Sequence, residues 1–140
     1  MIPVLDSPPA RLHDPREAQT ASMVGYLRDI MLTDPIQRER FHAIFLDSRR
    51  AYITDAAMGA GRSAFLKLRM RDLFGKALSV GAQGLIIAHN HPSGDCRPSE
   101  IDIKATHRLN EIGQALDIEL LDHLIITETA LYSMRAGGHL

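Results

Sequence analysis

The chain has 140 residues, about what one domain of roughly 100 to 200 residues needs, with 45% hydrophobic and 24% charged residues. That balance excludes wholesale disorder and fibrous repeats, and a formal net charge of -1 excludes a surface built throughout to neutralise phosphates. The single cysteine, Cys96, excludes an intrachain disulfide and any zinc site built on paired cysteines, so a metal would have to rely on histidine and carboxylate.

Residues 1–14, MIPVLDSPPARLHD, carry three prolines and no periodicity and read as an extended arm ahead of a domain over 15–140. They hold no basic stretch followed by an apolar core, and the apolar runs elsewhere are far short of the ~18 residues that span a bilayer. A cytoplasmic protein with no membrane segment is expected.

Asp14-Pro15-Arg16-Glu17 has the form of a helix start: a capping acceptor, proline at the first helical position and glutamate two residues on. The spacing predicts a helix from about 15 to 32. After Asp34-Pro35 the apolar run from Phe41 to Leu46 fits a strand, and Arg49-Arg50 a turn leading to an antiparallel partner over 51–56. Gly59-Ala60-Gly61 reads as a loop. Leu66, Leu68 and Met70 alternate with Lys67, Arg69 and Arg71, which predicts a half-buried strand and absorbs most of a basic patch completed by Arg62 and Lys76. Helical spacing then takes over at Leu73, Phe74, Ala77 and Leu78 until Gly81.

Gly84 to His89 has the apolar run of a strand buried on both faces. Ser99 caps a helix through Ile101, Ala105, Leu109, Ile112 and Leu116. A strand over 118–127 and a short one over 130–134 complete a mixed sheet with helices packed on it.

Chemistry concentrates in HNHPSGDCRPSEID, residues 89–102. Side chains at i and i+2 of an extended segment point the same way, so His89 and His91 can offer imidazole nitrogens to one ion. Asp102, in the first turn of the next helix, can supply a third ligand. Three protein ligands with one position open are the arrangement of a catalytic zinc (Zn2+). Simpler readings exist for the parts: a lone strand-end histidine is usually structural, and Ser99 with Asp102 is by itself a capping box. All four in one strand-to-helix junction, where open α/β sheets place their sites, favour the metal.

The spacing of His89, His91, Ser99 and Asp102 resembles the metal signature of the JAMM metalloproteases, the MPN+ domains, and HNHPSGD with PSxxD resembles their bacterial RadC branch. The likeness extends through FxxxFLD at 41–47, RxxxxKAL at 71–78, LLDHLII at 120–126 and Ser133, over roughly residues 38–136. It implies an α/β/α MPN (JAB) domain with a mixed β-sheet, cytidine-deaminase-like, in which His89, His91 and Asp102 hold zinc. It further implies a serine, here Ser99, that donates to the oxyanion, and an upstream glutamate that takes a proton from the activated water. The substrate class implied is a peptide or isopeptide.

Glu39 is the upstream carboxylate nearest the strand at Phe41. One residue of register decides whether it faces the metal or solvent, and Asp72 is the other carboxylate that could serve. RadC proteins usually carry a helix-hairpin-helix region before this domain. Residues 1–38 show no such signature, so the family's link to DNA repair is expected to transfer poorly. A non-catalytic, metal-stabilised MPN domain that binds protein or DNA-repair partners is the alternative, favoured if the base is missing or if Cys96 closes the zinc shell.

His123 or its neighbour Asp122 could hydrogen-bond a ligand histidine from the last long strand. His107, five residues past Asp102 on a helix, should point away from the metal, and His13, His42 and His139 read as surface or structural. Asp95 shapes the loop with Gly94. The HNH nuclease, zinc deaminase and HExxH protease patterns do not match.

Overall fold

The computed structural model of the chain describes residues 15–33, 38–61 and 68–140. The arm over 1–14, with His13, lies outside them, as do Arg62, Leu66 and Lys67. The elements are α1 (Pro15–Met31), β1 (Glu39–Leu46), β2 (Tyr52–Gly61), α2 (Met70–Ser79), β3 (Gly84–Asn90), α3 (Glu100–Ala115), β4 (Glu119–Ile126) and β5 (Leu131–Ser133). The sheet runs β2-β1-β3-β4-β5. β3 and β4 are parallel and joined through α3, while the other neighbouring strands pair antiparallel.

Both sheet faces are buried, and the alternation along β1 shows how. Phe41, Ala43 and Phe45 join Leu73, Phe74 and Ala77 of α2 and Leu109 of α3 in one core, whereas Ile44 and Leu46 join Val24, Leu27 and Met31 of α1 in the other. This is the three-layer α/β/α arrangement expected. A strand apolar at every position can be stable only between two covering layers.

Two expectations need correction. Gly59-Ala60-Gly61 belongs to β2, not to a loop: Gly61 pairs with Glu39 and Gly59 with Phe41, an extra residue at Met58 restoring the register. Glycine weakens a strand intrinsically, but β1 begins early enough to pair all three residues, and tertiary pairing overrides the propensity. The strand predicted from the alternation of Leu66 to Arg71 does not extend to Met70 and Arg71, which open α2. Leu73, Phe74 and Ala77 bury one face of that helix, and the helix runs back a turn from them to bury Leu68 at its entrance.

Turn chemistry follows the sequence. Asp47 Oδ1 accepts from Arg49 N and Ala51 N across the β1–β2 turn, and Arg50 there has φ +62°. Gly81, φ +71°, ends α2.

Candidate metal centre

The C-terminal ends of β3 and β4, the N-terminal end of antiparallel β1 and the first turn of α3 meet at one edge of the sheet. His89 lies in the buried C-terminal run of β3, and His91 follows two residues on. Their Nε2 atoms are 2.9 Å apart. Asp102 Oδ1 is 3.4 Å from His89 Nε2 and Asp102 Oδ2 is 3.2 Å from His91 Nε2, and one ligand atom from each residue lies within 4.8 Å of the other two. Among the described residues these three form the group able to hold an ion. Cys96 instead packs in an apolar cluster with Ile125, Tyr132 and Met134.

The capping box and the ligand reading of Asp102 hold together. Ser99 Oγ accepts from Asp102 N at 3.0 Å, and Asp102 Oδ2 accepts from Ser99 N at 2.9 Å. These bonds fix the rotamer that presents the carboxylate to both histidines. Ser99 Oγ still has its own hydroxyl hydrogen to donate.

Each ligand histidine is oriented through its other nitrogen. His91 Nδ1 lies 2.8 Å from the Asp95 carbonyl oxygen, which can only accept, so Nδ1 carries the hydrogen and Nε2 is the nitrogen that could ligate an ion. The Asp95 carboxylate meanwhile binds Arg97, which keeps the loop folded. His89 Nδ1 lies 2.7 Å from His123 Nε2. His89 and His123 are buried, and the Phe41 ring packs on both. The donor set of two imidazoles and a carboxylate, aimed at a common point, fits a zinc-type ion.

Burial pushes His89 below its ordinary pKa, outweighing the opposing pull of Asp102. At His91 burial acts in the same sense but is overcome by bonds to Asp102 and the Asp95 carbonyl and by the charges of Asp102 and Glu39, which hold it up. Asp102 is also partly buried, yet His89, His91 and the Ser99 amide hold its carboxyl well below the usual carboxylate range. His123 is driven well down by burial and by its neighbour His89.

The register of β1 places Glu39. Phe41 pairs directly with His89, so their side chains share a face, and Glu39, two residues earlier on the strand, lies on that same face. Its charge acts on both His89 and His91. Arg40 turns to the opposite face and donates through Nη1 to the carbonyls of Met31 and Thr33. Asn90, wholly buried between the two ligand histidines, fixes this edge: its Oδ1 accepts from Arg40 N at 2.6 Å and its Nδ2 donates to Arg38 O at 3.0 Å. The two bonds bracket Glu39. Asp72 is exposed in the first turn of α2.

Of the pair Asp122 and His123, it is His123 that reaches a ligand histidine. Asp122 instead accepts from Ser133 Oγ and Arg135 N and ties β5 to β4. Thr106, which the sequence reading passed over, lies 2.6 Å from His123 Nδ1; its place four residues after Asp102, on the same helix face, was the available signal. His42 binds Asp55, His139 meets the Tyr132 hydroxyl, and His107 is exposed, away from the ligands.

The profile of the RadC-like JAB domain matches residues 18–139. Similar proteins named UPF0758 protein occur in Flavobacterium johnsoniae, 41% identical over 74% of this chain and 45% of the relative, and in Staphylococcus carnosus, 38% identical over 74% and 46%. A third, in Syntrophomonas wolfei, is 41% identical over 72% of this chain and 43% of its own length. The chain thus spans less than half the length of these curated relatives. With the profile covering most of the sequence and the fold, the chain belongs to the RadC family, through its RadC-like JAB domain.

Proposed function

We propose that this chain is a metal-dependent hydrolase of the JAMM type that cleaves a peptide or isopeptide amide with zinc as its ion, acting in the cytoplasm. One observation carries the reading: two imidazole Nε2 atoms and a carboxylate converge within 4.8 Å at the sheet edge, on the face that Glu39 shares.

His89, His91 and Asp102 would hold the ion. When bound with one position open, such an ion lowers the pKa of a water toward about 7 and polarises a carbonyl. Glu39 receives the proton of the attacking water and passes it to the leaving amine, work that a base beside the site typically accelerates by about 100- to 10,000-fold. Ser99, its backbone fixed by the capping box, donates its hydroxyl hydrogen to the oxyanion that develops on the substrate carbonyl.

The test combines metal analysis with turnover of a peptide and isopeptide library followed by mass spectrometry. Protein purified without chelator should carry a stoichiometric divalent ion. His89→Ala should lose both ion and turnover, and Glu39→Gln should keep the ion and lose turnover. A wild-type chain without stoichiometric metal overturns the hydrolase reading, and full turnover in Glu39→Gln overturns Glu39 as the base.

A further inference from the structure

We propose that Thr106 and His123 are positioning residues that fix which ring nitrogen of His89 carries its hydrogen, and so keep Nε2 of His89 as the ligand atom. This rests on the metal-dependent reading of the same site. Thr106 Oγ1 lies 2.8 Å from the backbone carbonyl oxygen of Asp102. A carbonyl only accepts, so the single hydroxyl hydrogen of Thr106 is committed to it. Toward His123 Nδ1, at 2.6 Å, Thr106 can therefore only accept, and that nitrogen must carry hydrogen. A neutral imidazole has one N–H, which leaves His123 Nε2 a bare acceptor.

His89 Nδ1, 2.7 Å from that acceptor, must then be the donor. The Nε2 of His89 is left with its lone pair toward His91 and Asp102. The order of the chain is thus set by one peptide carbonyl, and it starts and ends at the metal ligands: the Asp102 carbonyl orders Thr106, which orders His123, which orders His89. His123 and Thr106 are wholly buried, so water does not compete for these bonds.

β4 brings His123 to His89 through a local irregularity. Leu85 pairs with Leu120, but Ile86 pairs with Asp122, so Leu121 is an extra residue on β4. Beyond it Ile87 faces His123 and His89 faces Ile125. The shift puts His123 on the metal-facing side, where Leu120 also lies, although the two are an odd number of residues apart.

Long-range proton–nitrogen correlation spectra of histidine-labelled, metal-free protein at pH 8 read the tautomers directly, and zinc titration against a chromophoric chelator reads affinity. Wild-type His89 and His123 should both carry hydrogen on Nδ1. Thr106→Val, nearly the same shape, removes the acceptor; His123 and His89 should both change to the Nε2–H form, and zinc affinity should fall by roughly 10- to 100-fold, as for other partners of metal-bound histidines. Thr106→Ser should restore the tautomers and the affinity. An Nε2–H tautomer at His89 in the wild type overturns the proposal, even if Thr106→Val does not fold, and so does a folded Thr106→Val with wild-type tautomers and affinity. A wild type with Nδ1–H at both histidines but no zinc uptake overturns the metal reading and, with it, the ligand role of Nε2, while the hydrogen order itself stands.

Discussion

Asp102 caps α3 and, on the proposed reading, also ligates the metal, and two substitutions should separate these roles. Asn at this position keeps an oxygen that can accept from Ser99 N, and the backbone amide still donates to Ser99 Oγ, so both bonds of the box, now 2.9 and 3.0 Å, survive. Its amide group can also donate to the Nε2 lone pair of a ligand histidine. Metal-free Asp102→Asn should therefore lose the attraction between the carboxylate and His91 but keep the cap, and remain more stable than Asp102→Ala by about 1 kcal/mol or more, the scale of one net hydrogen bond. Asp102→Ala loses the side-chain acceptor and leaves the Ser99 amide without it, at a cost of about 1 to 2 kcal/mol. Both variants remove the anion, and zinc uptake should fall by more than the about 10- to 100-fold that losing an outer partner causes. Urea unfolding with chelator present measures the first role, and zinc titration the second. Wild-type zinc affinity in Asp102→Asn would reduce the residue to a cap. If Asp102→Asn were as unstable as Asp102→Ala without metal, the account of the capping box would be refuted.

Metal-free stability should depend on pH through the buried histidines. His123 and His89 are held below their ordinary value of 6.5, so between that value and the folded one only the unfolded chain binds their protons. Their contribution is full above pH 6.5 and is lost as pH falls, with a slope of up to about 1.4 kcal/mol per pH unit for each fully buried histidine. His91, whose pKa is raised, contributes the opposite way: its stabilisation is full below 6.5 and lost as pH rises through its folded value. Because the His91 contribution is constant below pH 6.5, the two buried histidines alone set the slope there; urea midpoints should fall from pH 6.5 toward 5, and a flat or rising profile would contradict the burial argument. Gly113→Ala would place a Cβ 2.4 Å from the Ile118 carbonyl oxygen, a backbone atom, so α3 would have to move off β4. A net loss of about 1 to 3 kcal/mol is expected despite alanine's better helix propensity, and a thermal melt showing stabilisation would contradict it. Asn90→Ala removes both bonds that bracket Glu39. Zinc uptake should persist within about threefold while turnover falls by at least about 10-fold, and an unchanged turnover would show that Glu39 is held by other means.

What was legible in the sequence is what local geometry decides. His89 and His91 share a face because a strand repeats every two residues, and Ser99 reaches Asp102 because a helix start repeats its capping geometry. Both relations lie within one strand-to-helix junction. The side of Glu39 was not legible, because it depends on the pairing of Phe41 with His89, residues far apart in the chain. His123 was open for a similar reason: simple alternation along LLDHLII puts Leu120 and His123 on opposite faces, and only the extra residue at Leu121 reunites them. The strand predicted over 66–71 failed at its C-terminal end because a short alternation competed with the helical burial of Leu73, Phe74 and Ala77.

The junction therefore has a division of labour. One continuous segment, 89–102, brings the three candidate ligand side chains together. On the proposed reading, orientation and acid–base chemistry come from elsewhere. β1 carries Glu39, and β4 with α3 orders the hydrogens of His89. Asn90 joins the two levels, because alternation turns it away from the ligand face while its neighbours His89 and His91 turn toward it. Its amide then binds the backbone of Arg38 and Arg40 on the adjacent strand. The same tripeptide that supplies two ligands thus sets the height of the carboxylate beside them. On the proposed reading, a chain that kept His89, His91 and Asp102 but lost Asn90 or Glu39 would hold an ion without a positioned base, which is how a hydrolase of this fold would become a binding module.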